Sequence, residues 1–346
     1  MIKQQRWKKV EYTKRQINDA GDIIRKEDAT AEEVSDAITV IDNWRASHAF
    51  PLHVMYIHLR RMAQSCPNAL VVERLKRLDS IIGKLKRESG MDLWRMQDLG
   101  GCRVIVPTIT DVYRFIEKYQ KSSIRHEYKR TYDYIKNPKK SGYRSVHLVY
   151  KYHSDKSEDY NQNMLIELQF RTHLQHIWAT ALETMGLFTK QALKAGQGDA
   201  HIKRFFVLVS SLFAMREECP VIPGTLADEK EIVSEIEQIN DQYHVLETLN
   251  AIRIALNHEE DVKIDRKGYY LLILNYNTHR LRIRTYQPSQ FEQANIDYTQ
   301  IEKNRHASGI DAVLVRATSF SELKSAYPNY FADIGEFYDM VTEYLK

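Results

Sequence analysis

The stretch from Leu165 to Met185 narrows the possible folds more than any other part of the chain. Ile166, Leu168 and Phe170 alternate with Glu167, Gln169 and Arg171. A period of two puts the apolar set on the core side of a sheet and the polar set on its other face. Thr172 follows at once, with Gln175 placed to complete a capping box at a helix start. Leu174, Ile177, Trp178, Ala181, Leu182 and Met185 then recur at helical spacing. A strand that runs straight into an amphipathic helix favours a mixed α/β domain.

The rest of the chain continues that rhythm. Val34, Ala37, Ile38, Ile41 and Trp44 predict a helix, and Pro51 opens a second that runs through Arg60. Val72 to Arg87 reads as a third. Gly100 and Gly101 break the pattern, Cys102 to Pro107 reads as a short buried strand, and Asp111 to Lys121 as a helix. Ser145 to Tyr152 alternates again, with Ser145, His147 and Val149 on one face. The run from Pro220 to Gly224 is the best hinge. A long acidic helix is expected from there to about Leu256. Tyr269 to Asn275 and Arg280 to Tyr286 read as a hairpin, Ala312 to Val315 as a strand, and two short helices close the chain. The expected architecture is α/β (α+β): a mixed sheet flanked by helices over residues 1–220, a hinge and linker helix over 221–260, and a smaller α/β domain over 261–346.

Composition restricts the class of function. The 346 residues are 43% apolar and 28% charged, which suits a folded chain of one large or two ordinary domains. Cys66, Cys102 and Cys219 lie far apart, which argues against a disulfide framework or zinc ribbon and fits a reducing cytoplasm. No signal peptide and no run long enough to span a membrane is evident, so no membrane partner is expected. The net charge is only +4, but its distribution is uneven. From Lys121 to Lys151 nine basic residues face only Glu127 and Asp133. Such a cluster suggests a polyphosphate or nucleic-acid partner.

Four segments carry chemistry. Arg74, Lys76, Arg77 and Lys84 are compatible with one basic face of a helix or its flanking loop. Lysine suits phosphate oxygens, and arginine can also stack on a flat base. Asp98 precedes the Gly-Gly break, and Arg103 lies on the strand after it. A carboxylate at a loop–strand junction is a natural magnesium ligand, because Mg²⁺ keeps several waters and needs few protein groups. Between Thr131 and His147, Lys136, Lys139, Lys140 and Arg144 are interleaved with Tyr132, Tyr134 and Tyr143, pairing cations for phosphates with rings for bases. Glu167 can bind metal or accept the proton of an attacking hydroxyl. His173 and His176 have no evident third ligand and read as structural.

In this order the motifs R-x-K…K, D-x-x-G-x-R, Y-x-x-x-P-K-x-x-G-Y-R-S-x-H and E-x-Q-x-R-T resemble the synthetase domain of the RelA/SpoT homologue family, strongly from Arg74 to Glu183. The resemblance implies a nucleotidyltransferase-like synthetase fold and transfer of the β,γ-diphosphate of ATP to a ribose hydroxyl, with release of AMP. Carried over, Arg74 and Arg103 would sandwich adenine, Lys76 and Lys84 would hold the ATP phosphates, and Asp98 and Glu167 would be the catalytic carboxylates at Mg²⁺. Tyr143 would stack on the acceptor base, with Lys136, Lys139, Arg144 and His147 around it and Gln169 and Arg171 on the same face.

The segment from Trp44 to Leu52 resembles toxic members of the family, which modify the 3′-terminal adenosine of tRNA and block translation. Ser325 to Phe337 resembles the tail of fused toxin–antitoxin members known as CapRel. That resemblance implies an antitoxin domain in cis, Tyr327 and Tyr330 covering the ATP site, and release by a phage capsid protein in antiphage defence. The tRNA end is therefore the expected acceptor, and GDP or GTP, as in alarmone synthesis, the alternative.

Overall fold

Leu165 to Thr172 is a strand, and Thr172 caps the helix that follows. Its hydroxyl accepts from the Gln175 amide at 3.2 Å while the Gln175 side chain accepts from the Thr172 amide at 3.3 Å. This computed structural model describes residues 7–189, 198–225, 228–255, 257–258, 267–275, 277–278, 280–303, 310–331 and 333–346.

The described elements, in chain order, begin with α1 (Lys14–Arg25), α2 (Ala31–Ser47), α3 (Ala49–Ala63), β1 (Leu70–Leu75), α4 (Leu78–Arg87), β2 (Gly100–Val106) and α5 (Ile109–Gln120). The central part holds β3 (Glu127–Asp133), β4 (Val146–Lys151), β5 (Leu165–Thr172), α6 (His173–Phe188) and α7 (Ala200–Arg216). Then come α8 (Glu229–Tyr243), α9 (Val245–Ala255), β6 (Asn257–His258), β7 (Gly268–Asn275) and β8 (Arg280–Tyr286). The chain closes with α10 (Phe291–Lys303), β9 (Ile310–Ala317), α11 (Phe320–Ala326) and α12 (Gly335–Tyr344).

The strands form one mixed sheet in the order β3-β4-β5-β2-β1-β9-β7-β8-β6. Only β2–β5 and β6–β8 are parallel pairs among the described strands. β9 joins β1 through just two residue pairs, Glu73 with Arg316 and Arg74 with Val315. The C-terminal strands thereby continue the sheet that carries the four motifs.

Two expectations need correction. Val72 to Arg87 is not one helix. Leu70–Leu75 is strand β1, and a helix starts only at Leu78. Val71 and Val72 favour a pleated, half-buried surface, and pairing with β2 along the whole strand overrides the helical reading. The acidic helix after the hinge is two helices. His244 takes a left-handed backbone (φ 51°) that ends α8, and α9 starts directly after it.

Apolar residues cover both sheet faces. Leu148, Ile166, Leu168, Phe170 and Leu271 pack with residues of α3, α5 and α10 on one side. On the other, Val72, Leu272 and Val313 pack with residues of α6, α7, α9 and α12. The N-terminal helices α1 and α2 share a third cluster with α4.

Candidate active site

Strand register brings the motifs together. Val72, Arg103, Gln169, His147 and Tyr132 stand in one row across β1, β2, β5, β4 and β3. Arg74, Gly101, Glu167, Val149 and Arg130 form the next row. Partners across a sheet present their side chains to the same face, so the two rows make one polar surface. Gly101 leaves a gap between Arg74 and Glu167. A Cβ there would meet only backbone oxygens, at 3.6 and 4.0 Å, and the gap opens into a cavity.

Two cavities share this surface. The inner one is about 50 Å³ and is lined by Arg74, Lys76, Asp98, Gly101, Arg103, Glu167, Gln169 and Tyr327. The outer one is about 430 Å³ and adds Lys84, Lys139, Tyr143 and His147, with Arg95, Gln97, Tyr132 and Tyr134 at its rim. Small-molecule clefts usually offer about 300–1,000 Å³. The outer space fits that range and the inner one does not.

The carboxylates are already engaged. Lys76 Nζ lies 2.6 Å and Lys84 Nζ 3.2 Å from the two Asp98 oxygens. Burial alone would push the Asp98 carboxyl up, but the two ammonium groups hold it well below the usual carboxylate range. Glu167 Oε1 meets His147 Nδ1 at 2.9 Å, and Glu167 Oε2 accepts from Gln169 Nε2 at 2.6 Å. Burial opposes the charge on both Glu167 and His147. The ion pair nevertheless lowers Glu167 and, with Tyr143 beside it, raises His147 to about 9. The Tyr143 hydroxyl lies 3.0 Å from His147 Nε2.

Among the described residues no three His, Cys, Asp or Glu side chains gather as a metal cage. The donor set still fits Mg²⁺. Asp98 and Glu167 supply hard oxygen atoms in one cleft, and Mg²⁺ commonly takes one or two carboxylates with water and substrate phosphates.

Three residues expected at the acceptor are not brought into the cleft. The Arg144 guanidinium is buried and donates to Ser210 Oγ, Ile135 O and Pro220 O. Arg171 is buried against His176 and lines neither cavity. Lys136 points over the Tyr113 ring at 4.9 Å. His173 meets Glu336 at 2.7 Å, and His176 Nε2 reaches Ser325 O at 3.1 Å, so the two histidines link α6 to the chain end.

The chain end supplies the remaining wall. Ser319 caps α11, and Pro328 follows the helix, so the chain turns at Tyr327. Tyr327 is buried in the inner cavity wall, and its hydroxyl donates to Glu73 O at 3.1 Å. Tyr330 lies outside that cavity. Its hydroxyl donates to Asp311 at 2.7 Å and accepts from Arg77, which also pairs with Asp311. By sequence Arg77 is one more cation on a basic face, whereas its role here depends on a partner 234 positions away. Gln97, which also lines the outer cavity, likewise carries no sequence signal that would place it there, whereas Tyr132 and Tyr134 belong to the interleaved rings of the third motif.

Comparison with known proteins bears on the same segment. Residues 73–190 match the family described as the region found in RelA / SpoT proteins. The chain is 26% identical over 172 residues to the GTP pyrophosphokinase YwaC of Bacillus subtilis, covering 44% of this chain and 79% of that one. It is 32% identical over 117 residues to YjbM, a GTP pyrophosphokinase of the same organism, covering 33% of this chain and 54% of the relative. The solved small alarmone synthetase 1 from Bacillus subtilis bound to its product pppGpp aligns with 48% of this chain and 87% of its own, at 23% identity and a TM-score of 0.42.

Proposed function

We propose that this chain, whose residues 73–190 match the region found in RelA / SpoT proteins, transfers the β,γ-diphosphate of ATP to the 3′-terminal adenosine of tRNA and is held closed by its own C-terminal segment. The observation that carries the self-closure is Tyr327. Its ring shares the small inner cavity with Arg74 and Arg103, the two guanidiniums expected to take adenine, and leaves only about 50 Å³ there. Lys76 and Lys84 both pair with Asp98.

In the open enzyme, adenine would displace Tyr327 and lie against Arg74 and Arg103. Lys76 and Lys84 would turn to the phosphates and leave Asp98 free to hold Mg²⁺ together with Glu167. When bound, Mg²⁺ neutralises charge on the phosphate oxygens. The acceptor base would stack on Tyr143, with Lys139 above that ring and Gln169 fixing Glu167. The ribose hydroxyl oxygen forms a bond to Pβ, the bond from Pβ to the bridging oxygen breaks, and AMP leaves. The hydroxyl proton passes to Glu167, which is ionised at neutral pH because His147 holds its charge.

An RNA acceptor is supported by the nine-to-two basic excess from Lys121 to Lys151, by exposed Lys139 in the lining of the outer cavity and by exposed Arg130, bonded to Tyr132 of that lining. The second reading, GDP or GTP as acceptor, is favoured by the names of both relatives. By the resemblance of the chain end, a phage capsid protein is the proposed releasing partner.

The test uses the full-length Tyr327→Ala chain, γ-labelled ATP, Mg²⁺ and either deacylated tRNA or GDP. Label should enter tRNA at least about tenfold faster than with the unaltered chain, a difference of about 1.4 kcal/mol. Adding Glu167→Gln should abolish it. Label in GDP alone selects the second reading. Equal rates for the unaltered and Tyr327→Ala chains reject self-closure.

A further inference from the structure

The reaction leaves unused an aromatic and basic ladder on β3. Building on the RNA acceptor reading, we infer that Arg130, Tyr132 and Tyr134 form a shelf for the single-stranded nucleotides that precede the reacting one at an RNA 3′ end.

β3 is the outer strand of the sheet, and Glu127 to Thr131 are exposed along it. Arg130 and Tyr132 belong to the two cross-strand rows that contain Glu167 and His147. The ladder is continuous. Tyr132 and Tyr134 lie parallel within 4°, with ring centroids 6.0 Å apart. Tyr134 meets His147 edge to face at 5.2 Å, and His147 holds Glu167. From Glu167 on β5 to β3 is two strand spacings, about 10 Å. The rings of Tyr134 and Tyr132 line the same outer cavity as Tyr143, and Tyr134 meets Tyr143 edge to face at 6.2 Å.

The shelf is held in place before any ligand arrives. The Tyr132 hydroxyl accepts from Arg130 at 3.1 Å and donates to Gln97 at 3.4 Å. Lys139 lies 4.3 Å from the Tyr134 centroid and 5.5 Å from that of Tyr143. Rings fixed in this way lose little freedom on binding. Exposed Arg130, bonded to the Tyr132 hydroxyl, supplies charge for a phosphate alongside. Alternating rings and cations bind unpaired bases of any sequence, because every base has a stacking face. A free nucleotide on Tyr143 would leave the shelf empty, and a base-paired end would offer it no free face.

Tyr327 lines the inner cavity and is not part of the outer one, so the shelf can be tested without releasing the chain end. Fluorescence anisotropy would measure binding of a short 5′-labelled single-stranded RNA ending in CCA to the full-length chain at one fixed salt concentration. Tyr132→Ala should raise Kd about tenfold. Tyr132→Phe, which keeps the ring and loses only the hydroxyl's bonds to Arg130 and Gln97, should weaken binding clearly less than Tyr132→Ala, which assigns the main effect to the ring. Arg130→Ala should weaken binding a few-fold and, in a salt series, flatten its salt dependence. A blunt RNA duplex should show no dependence on Tyr132. Equal Kd values for Tyr132→Ala and the unaltered chain, at equal melting temperatures, overturn the shelf even if tRNA is labelled in the transfer assay. Tyr132-dependent binding with no transfer to tRNA supports the shelf and overturns the acceptor reading instead.

Discussion

Arg144 and Tyr143 are neighbours in one motif with opposite duties. Tyr143 lines the outer cavity, while Arg144 faces the protein and ties the loop to Ser210 and to Pro220 in the hinge. Removing a buried guanidinium that satisfies two backbone carbonyls should cost about 2–3 kcal/mol of stability. Arg144→Ala is therefore expected to lower the urea midpoint by that equivalent, with little change in acceptor KM of the released enzyme. A large KM rise at unchanged stability would return Arg144 to the acceptor site. The two tail tyrosines divide their work in the same way. Tyr327 occupies space beside Arg74 and Arg103, and Tyr330 anchors the turn through Arg77 and Asp311.

At the scale of elements, β5 and α6 were legible because alternation and a capping box agree there. β4 was legible from its alternation, since Val146, Leu148 and Tyr150 join one apolar cluster while His147 lines the cleft. β1 was not. Its Arg74, with Lys76 and Arg77 just beyond, masks a short strand whose identity comes from its β2 partner. β3 was hidden too, because an exposed edge strand has no apolar alternation to announce it. Most of the site was readable because one strand carries Glu167 and Gln169 and the Gly-Gly break marks where the next begins. What could not be read was direction, as with Arg144, Arg171 and Lys136, whose orientation is set by elements outside their own motifs. Gly142 offers a local check. Its φ is +89°, and a Cβ would stand 2.8 Å from Trp178 Cζ2 and 3.1 Å from Ser210 Cβ. Gly142→Ala should destabilise the fold by about 1–3 kcal/mol in thermal unfolding and displace Tyr143. Unchanged stability would mean that the loop is not held against α6 and α7.

For the whole molecule, the proposed self-closure makes nucleotide and chain end competitors for one place, so on that reading binding of either must weaken the other. Hydrogen exchange gives a direct readout. With Mg²⁺ and a non-hydrolysable ATP analogue at about ten times its Kd for the open form, amides of β9, α11 and Tyr327 to Phe331 should exchange roughly tenfold faster. Exchange that stays constant while the analogue binds would place the nucleotide elsewhere. The site of separation has a further consequence. β9 meets β1 in the interior of the sheet, through two residue pairs only. Parting them would not free a loose tail. It would uncover two raw strand borders, one at Glu73 and Arg74 and one at Val315 and Arg316, each with unsatisfied amides and carbonyls that attract foreign strands. Release would thus make the molecule adhesive as well as active, and light scattering from the Tyr327→Ala chain should rise with concentration where the unaltered chain stays clear.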